Sequence, residues 1–335
     1  MRRGQGHVTA LFVSNKKCKE EGMKGKNRKR GRFEYNLRTQ LQLHAMLLPG
    51  TVLVIVFSII PLFGILIAFT NYKPAMGWSG IFTAEFNHFR NFKQVFRSSQ
   101  FWPMIRNTLG INLIGHAVSI PMSILFALLV NEITNKKFQS VVQTTTYMPH
   151  FLSWAIYGGL VVTMLSPDGG LINVLLQKIG IIKEPISFMA KEEYFWMIAI
   201  VSGLLKELGW GTIIYLAAIA GVDPGLYEAA AIDGASRVRR MFSITLPSIL
   251  PTVMIMIIFA VAGMLNNNFT QIYVLQNSLN RDASQVIDTY VYQIGMQQFQ
   301  FGIATAATLT KSVFALILLS LANFASKKLT DTGLF

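Results

Sequence analysis

Charge is scarce in this sequence of 335 residues: Asp, Glu, Lys and Arg make up 14% of it, where a soluble domain has about 25%. The nine hydrophobic types reach 52%, so too little charge remains to cover a water-facing surface. A soluble globular enzyme is excluded and a membrane protein is indicated. Cysteine is nearly absent too. Cys18 stands alone, which rules out an intrachain disulfide framework and any cysteine-built metal cluster. The five histidines, His7, His44, His88, His116 and His150, never fall at i, i+4 or within a Cys/His ligand spacing, so no metal site is expected. Gly25-Lys26 has Glu20 where the first glycine of a Walker loop belongs, and Gly209-Trp210-Gly211 has Ile214 where a dinucleotide fingerprint needs glycine. No serine sits in a nucleophile elbow. No catalytic residue is expected, and the chain is read as not an enzyme.

The charge that is present lies unevenly. Thirty Lys and Arg stand against sixteen acids, a formal net charge of +14. Residues 1–38 hold twelve of the basic residues and three of the acids, so the tail is +9 and the rest only +5. A nucleic-acid-binding domain concentrates its cations on one face, and this body does not, so no nucleic-acid partner is expected. The cluster Lys24, Lys26, Arg28, Lys29, Arg30 and Arg32 reads as a solvated arm that sets orientation and attracts anionic membrane lipid.

Runs free of charge locate the membrane. A spanning helix needs about 20 apolar residues. Charge-free runs of 34, 25, 30 and 40 residues lie between Arg38 and Lys73, Arg106 and Glu132, Lys137 and Asp168, and Arg240 and Arg281. Two more apolar stretches are broken by charge, one by Lys206 and Glu207, the other by Lys311. The expectation is an all-α polytopic membrane protein: a basic cytosolic tail over 1–38, then six transmembrane helices at about 45–70, 106–131, 141–165, 195–221, 248–275 and 299–326. Pro61, Pro121 and Pro149 are expected to kink these helices rather than end them. Lys and Arg number 19 on the side of the termini and 9 on the other, which places both termini in the cytosol. No secretory signal opens at Met1, because the first apolar run comes late and is too long, so the first span is expected in the mature protein. Phe86, Phe89, Phe92 and Phe96, in the first of three long outer loops, read as interfacial anchors or as contacts for an external partner.

Residues 222–247 carry the most specific pattern. Asp223 is a good N-cap and Pro224 suits a first helical position. Gly234 can end that short helix in the left-handed conformation, Ser236 can cap a second, and Pro247 is expected to stop the second before span five. Ala229 and Ala230 leave room for close approach, while Tyr227, Met241 and Phe242 offer apolar anchors, so this helix-turn-helix has the makings of a docking surface on the cytosolic face. The run Glu228-Ala229-Ala230, then Gly234, then Ile244, Leu246 and Pro247 resembles the signature loop of permease subunits of binding-protein-dependent ABC importers. The resemblance extends through most of residues 45–335. Segments 148–154, 166–170, 271–275 and 301–306 look like the carbohydrate branch, and within it the polysaccharide and oligosaccharide subgroup related to maltose permeases. Asn268-Phe269-Thr270 departs from the family, which often has an acidic residue after the Phe, and the tail has no family counterpart.

The resemblance implies a permease subunit of an ATP-driven importer of oligosaccharides or polysaccharide fragments in the bacterial plasma membrane. Implied partners are a second homologous permease subunit, two ATP-binding subunits, and an external solute-binding lipoprotein that delivers the carbohydrate. The ATP-binding subunits would couple through Glu228, Ala229, Ala230, Asp233, Gly234, Ile244, Leu246 and Pro247. ATP and Mg would belong to them, leaving this chain without a cofactor. Two other readings stay open: an ATPase-independent secondary transporter or channel for a polar solute, which inverted repeats would support, and a membrane-bound carbohydrate enzyme, which needs an acid and base pair of carboxylates.

Polar residues inside spans also read two ways. Lys206, Glu207 and Lys311 either pair between helices or line the pathway. Neighbours in sequence do not face each other on a helix, so Lys206 and Glu207 are expected to have separate partners. Asn266, Asn267 and Asn268 either bond between helices or meet sugar hydroxyls. Trp154, Trp196, Trp210 and Tyr215 either pack or stack on sugar rings.

Overall fold

The computed structural model describes residues 37–330, and the tail's basic cluster lies outside the described residues. Regular structure among the described residues is helical apart from one antiparallel bridge, Thr70 to Phe86. The chain divides after Leu62 into two units. In the first, α1 (Leu37–Val54) continues through a π turn at Ile55–Ile59 into Ile60–Leu62. The second holds α2 (Arg90–Arg97), α3 (Phe101–Asn131), α4 (Lys136–Tyr147), α5 (Trp154–Met164), α6 (Leu171–Lys178) and α7 (Glu192–Ala220). After these come α8 (Pro224–Ile232), α9 (Arg237–Arg240), α10 (Leu246–Ala262), α11 (Phe269–Leu275), α12 (Arg281–Ser284), α13 (Ile287–Tyr292) and α14 (Phe301–Thr330).

Helices α3 and α7 form the spine of the second unit. Glycine lets them close: a Cβ at Gly110 would lie 2.2 Å from Trp196, and one at Gly211 would lie 3.1 Å from Ser123 Oγ. Three apolar clusters follow this spine. One gathers Ile111, Phe195, Ile198, Ile272 and Leu275, a second Ala127, Leu128, Tyr215, Met241 and Ile249, and a third Val95, Met104, Leu265, Tyr290 and Ala306. Large apolar side chains such as Leu113, Leu205, Phe259 and Leu316 face outward. That arrangement is unfavourable in water and ordinary where the surrounding solvent is lipid.

Among the described residues, five helices are long and apolar enough to cross a membrane: Gln40–Phe69, Phe101–Asn131, Glu192–Ala220, Arg237–Ala262 and Phe301–Phe324. The span expected at 141–165 is not one helix. It breaks after Tyr147 into a 3-10 turn, Met148–Phe151, and restarts at α5. Pro149 cannot donate to the helical ladder, and Ser153 recaps the chain by accepting from Ile156 N–H at 3.3 Å. The span expected at 248–275 breaks too, stopping at Ala262 and resuming at Phe269. Gly263 closes α10 and Asn268 caps α11, its Oδ1 accepting from Gln271 N–H at 3.0 Å.

Pro247 does not stop the second loop helix, contrary to the sequence expectation. Residues Arg237–Ala262 are continuous, through a π turn at Met241–Thr245. A proline clashes with the carbonyl four residues earlier. For Pro247 that carbonyl is on Ser243, inside the widened turn, and Leu246 N–H reaches back to Met241 O instead. Pro61 stands in the same relation to the π turn at Ile55–Ile59. Both prolines are accommodated by a wider turn placed over the carbonyl they would strike.

Candidate functional site: a docking loop and an intramembrane polar cluster

The loop at 222–247 is built by local capping. Asp223 Oδ1 accepts from Gly225 N–H at 2.9 Å and starts α8 with Pro224 in its first turn. At the other end Gly234 has φ +72°. Its N–H donates to Ala231 O at 3.1 Å, and Ala235 N–H donates to Ala230 O at 2.9 Å. These two bonds are the Schellman pattern, which needs a residue at ease in the left-handed region. Ser236 Oγ then accepts from Arg239 N–H at 3.3 Å and opens α9. A hydrogen bond of 2.9 Å between Tyr227 and Thr245 hydroxyls ties α8 to the π turn that follows α9. No residue of α8 is buried. Ile232 is 87% exposed, and Val238 and Phe242 are exposed beside it in sequence, so the apolar surface here has no partner within the described residues. Of the sequence candidates, Glu228, Ala229, Asp233, Gly234 and Pro247 are exposed, while Ala230, Ile244 and Leu246 are half-buried.

The second site lies at the break between α4 and α5. Lys206, on α7, is 2% exposed. Its Nζ donates to His150 O at 2.7 Å, lies 3.3 Å from Glu207 Oε1, and sits 5.4 Å from the centre of the Trp154 ring. Glu207 Oε2 meets His150 Nδ1 at 2.6 Å. The His150 ring stacks on Trp210 at 4.2 Å with planes 1° apart. Lys206 and Glu207 therefore do contact each other, against expectation. Both chains bend toward His150, whose carbonyl is freed by the 3-10 turn. Helical geometry sets where the Cβ atoms point, but long side chains converge on one residue, Lys206 donating to the His150 carbonyl and Glu207 meeting its ring nitrogen. Sequence reasoning missed His150 as a partner, although a histidine beside Pro149 in a charge-free run was a visible signal.

The remaining polar candidates are dispersed. Lys311 Nζ pairs with Asp288 at 2.6 Å, joining α14 to α13. Asn266, Asn267 and Asn268 occupy the break between α10 and α11 rather than a helical face. Asn268 is spent as a cap, and Asn267 Oδ1 is a buried acceptor with no partner among the described residues. Asn112 Nδ2 closes the same break by donating to Met264 O at 2.7 Å. Gln271, just past it, donates to Ala199 O at 2.7 Å and joins α11 to α7. Tyr215 is 2% exposed within a core, and Trp196 Nε1 donates to Ala283 O at 3.0 Å. These two aromatics pack, whereas Trp154 and Trp210 border the Lys206 cluster.

Residues 119–331 match the family described as binding-protein-dependent transport system inner membrane component. The polygalacturonan/rhamnogalacturonan transport system permease protein YteP of Bacillus subtilis is 40% identical over 92% of this chain and 95% of its own length. Protein LplB of the same organism is 38% identical over 89% of this chain and 92% of its own. Among solved structures, a chain of a bacterial alginate ABC transporter, in complex with an alginate pentasaccharide-bound periplasmic protein, superposes with a TM-score of 0.79. It is 37% identical and covers 89% of this chain and 98% of its own. An all-helical bundle with long apolar helices, a capped loop and near-full-length likeness to such permeases lead to one assignment: the chain belongs to the inner membrane components of binding-protein-dependent ABC transport systems.

Proposed function

We propose that this chain is one of two homologous permease subunits of an ATP-driven importer of oligosaccharides or polysaccharide fragments. It crosses the bacterial plasma membrane six times with both termini in the cytosol, α4 and α5 together making the crossing that no single long helix supplies. Two ATP-binding subunits dock on the loop at 222–247 and hold the ATP and Mg. An external solute-binding lipoprotein delivers the substrate. The observation that carries this reading is the loop itself, a rigidly capped helix with no buried residue and Ile232 87% exposed. A surface so ordered and so apolar suits a protein groove.

Closure of the ATP-binding subunits drives α8 and its counterpart together, and the bundle rocks between inward-open and outward-open states. The broken helices support a route through the chain's interior, because interrupted spans expose backbone polar groups only where they line a cavity or meet protein. Lys206, Glu207, Asn266, Asn267 and Asn268 lie at those breaks and contribute to the route. Lys311 instead holds α14 to α13 through Asp288.

Affinity purification of the tagged chain from native membranes tests this reading. It should bring down a second permease, an ATP-binding subunit and a solute-binding lipoprotein, and the complex should hydrolyse ATP faster when the loaded binding protein is added. A chain that purifies without any ATPase yet still moves its solute overturns the proposal in favour of a secondary transporter.

A further inference from the structure

A cleft of about 230 Å³ opens where α11 ends and α12 and α13 begin. Drug-sized ligands occupy about 300–1,000 Å³, so this space suits one unit of a longer chain. We infer that it binds an acidic sugar unit, with Arg281 taking the carboxylate and Tyr273 the ring. The inference rests on the carbohydrate reading above and narrows it to uronate-bearing substrates.

The charge is the first ground. No Asp or Glu lines the cleft. Arg281 Nε donates to Gln285 Oε1 at 3.3 Å, and its Nη2 donates to Gln293 Oε1. Gln285 is 1% exposed, and the same oxygen also accepts from Gln276 Nε2 at 3.2 Å. These acceptors are neutral, so they aim the guanidinium without cancelling its charge. The neighbouring acids do not cancel it either: Asp288 is taken by Lys311 at 2.6 Å, and Asp282 is not part of the lining. Nη1 has no acceptor among the described residues. An aimed, unneutralised guanidinium presents the planar fork that carboxylates fit best, and a single fork matches a single negative charge.

The ring surface is the second ground, independent of the first. Tyr273 is 45% exposed. Phe269 stacks against it at 5.3 Å and 21°, and Tyr292 meets it edge-on at 5.3 Å and 75°. Buttressed from two sides, the Tyr273 ring keeps a fixed orientation with part of its surface open at the cleft, where the apolar face of a pyranose can lie. Gln297, exposed on the rim, offers a carboxamide to hydroxyls.

Saturation-transfer NMR on the permease complex in nanodiscs, without the binding protein, tests this with trigalacturonate and its methyl ester as probes. The free acid should bind about fivefold tighter than the ester. Arg281→Gln should abolish that preference, and Tyr273→Ala should weaken both probes alike. Raising salt from about 0.05 to 0.5 M should weaken only the acid, a readout on the unaltered protein that decides the matter if Arg281→Gln does not assemble. Equal binding of acid and ester, binding of neither, or an acid preference that survives Arg281→Gln overturns the inference. None of those outcomes touches the copurification of the ATPase, so a failure here is distinguishable from a failure of the transport reading.

Discussion

Replacing Gly234 with valine isolates the capped loop at 222–247, the proposed docking surface, from everything else the chain does. A Cβ built on Gly234 meets nothing within 4 Å, so the substitution adds no clash and its whole cost is backbone. An L-residue in the left-handed region costs about 1–2 kcal/mol, with β-branching at the upper end. About 2 kcal/mol shifts the balance between the capped and opened turn by about 30-fold. Opening the turn releases the bonds to Ala230 O and Ala231 O and lets α8 swing away from α9. Apparent affinity for a partner that needs the capped form falls by the fraction lost. Because α8 buries no residue, the bundle cores are untouched, and Gly234→Val should still insert and pair with its companion permease. Hydrogen exchange at the amides of residues 234 and 235 should speed up, ATPase copurification should drop, and substrate-stimulated hydrolysis should fall with it. Gly234→Asn, which tolerates the left-handed region, should recover most of each. Faster exchange with undiminished ATPase binding and coupling would show that the loop is not the docking surface.

Other expectations follow from particular contacts. A Cβ at Gly209 would lie 2.3 Å from the backbone oxygen of Thr146, whereas one at Gly159 meets nothing within 4 Å; Gly209→Ala should therefore cost about 2–3 kcal/mol in thermal unfolding of the purified chain and Gly159→Ala almost nothing. Lys311→Met strands Asp288 in a mostly buried position and should destabilise by about 2 kcal/mol, most of it recovered in the double change with Asp288→Asn; full additivity of the two would show that the pair is not coupled. Lys206→Met should leave the complex assembled but alter substrate-stimulated hydrolysis, and normal stimulation in that variant would assign the His150 cluster to packing alone. Reporter fusions at Lys178 and after Asn280 should report outside and one after Phe335 inside; an external C-terminus would remove one of the six proposed crossings.

Helix bodies were legible because a charge inside lipid is costly whatever the fold. The expected 106–131 and 195–221 fall within Phe101–Asn131 and almost wholly within Glu192–Ala220. The capped loop at 222–247 was legible for a different reason: Asp223, Gly234 and Ser236 each act on backbone groups within a few positions, so capping is written locally. Charge counting is blind to backbone continuity, which is why the breaks at Met148–Ser153 and Gly263–Asn268 escaped it. Pro149 with Ser153, and Gly263 with Asn268, are the same stop-and-cap pairs that end helices in water, masked by uniform hydropathy. Partner identity was the least legible layer. His150 finds Glu207 across 57 positions and Lys311 finds Asp288 across 23, separations that only packing brings together. Pro247 misled because its usual effect is overridden by a wide turn that leaves no mark in composition.

That wide turn makes the loop and the membrane helix one lever. From Arg237 to Ala262 the helix is unbroken, with the π turn at Met241–Thr245 and Pro251 within it, and at about 1.5 Å per residue the 26 residues span about 39 Å. A tilt of about 10° imposed at the arginine end displaces the far end by about 7 Å, about twice the length of a hydrogen bond. The far end is Gly263, where the helix gives way to Asn266, Asn267 and Asn268. If ATP-binding subunits dock on the loop as proposed, their stroke passes along this helix to a stretch whose backbone is already unwound and whose side chains are amides.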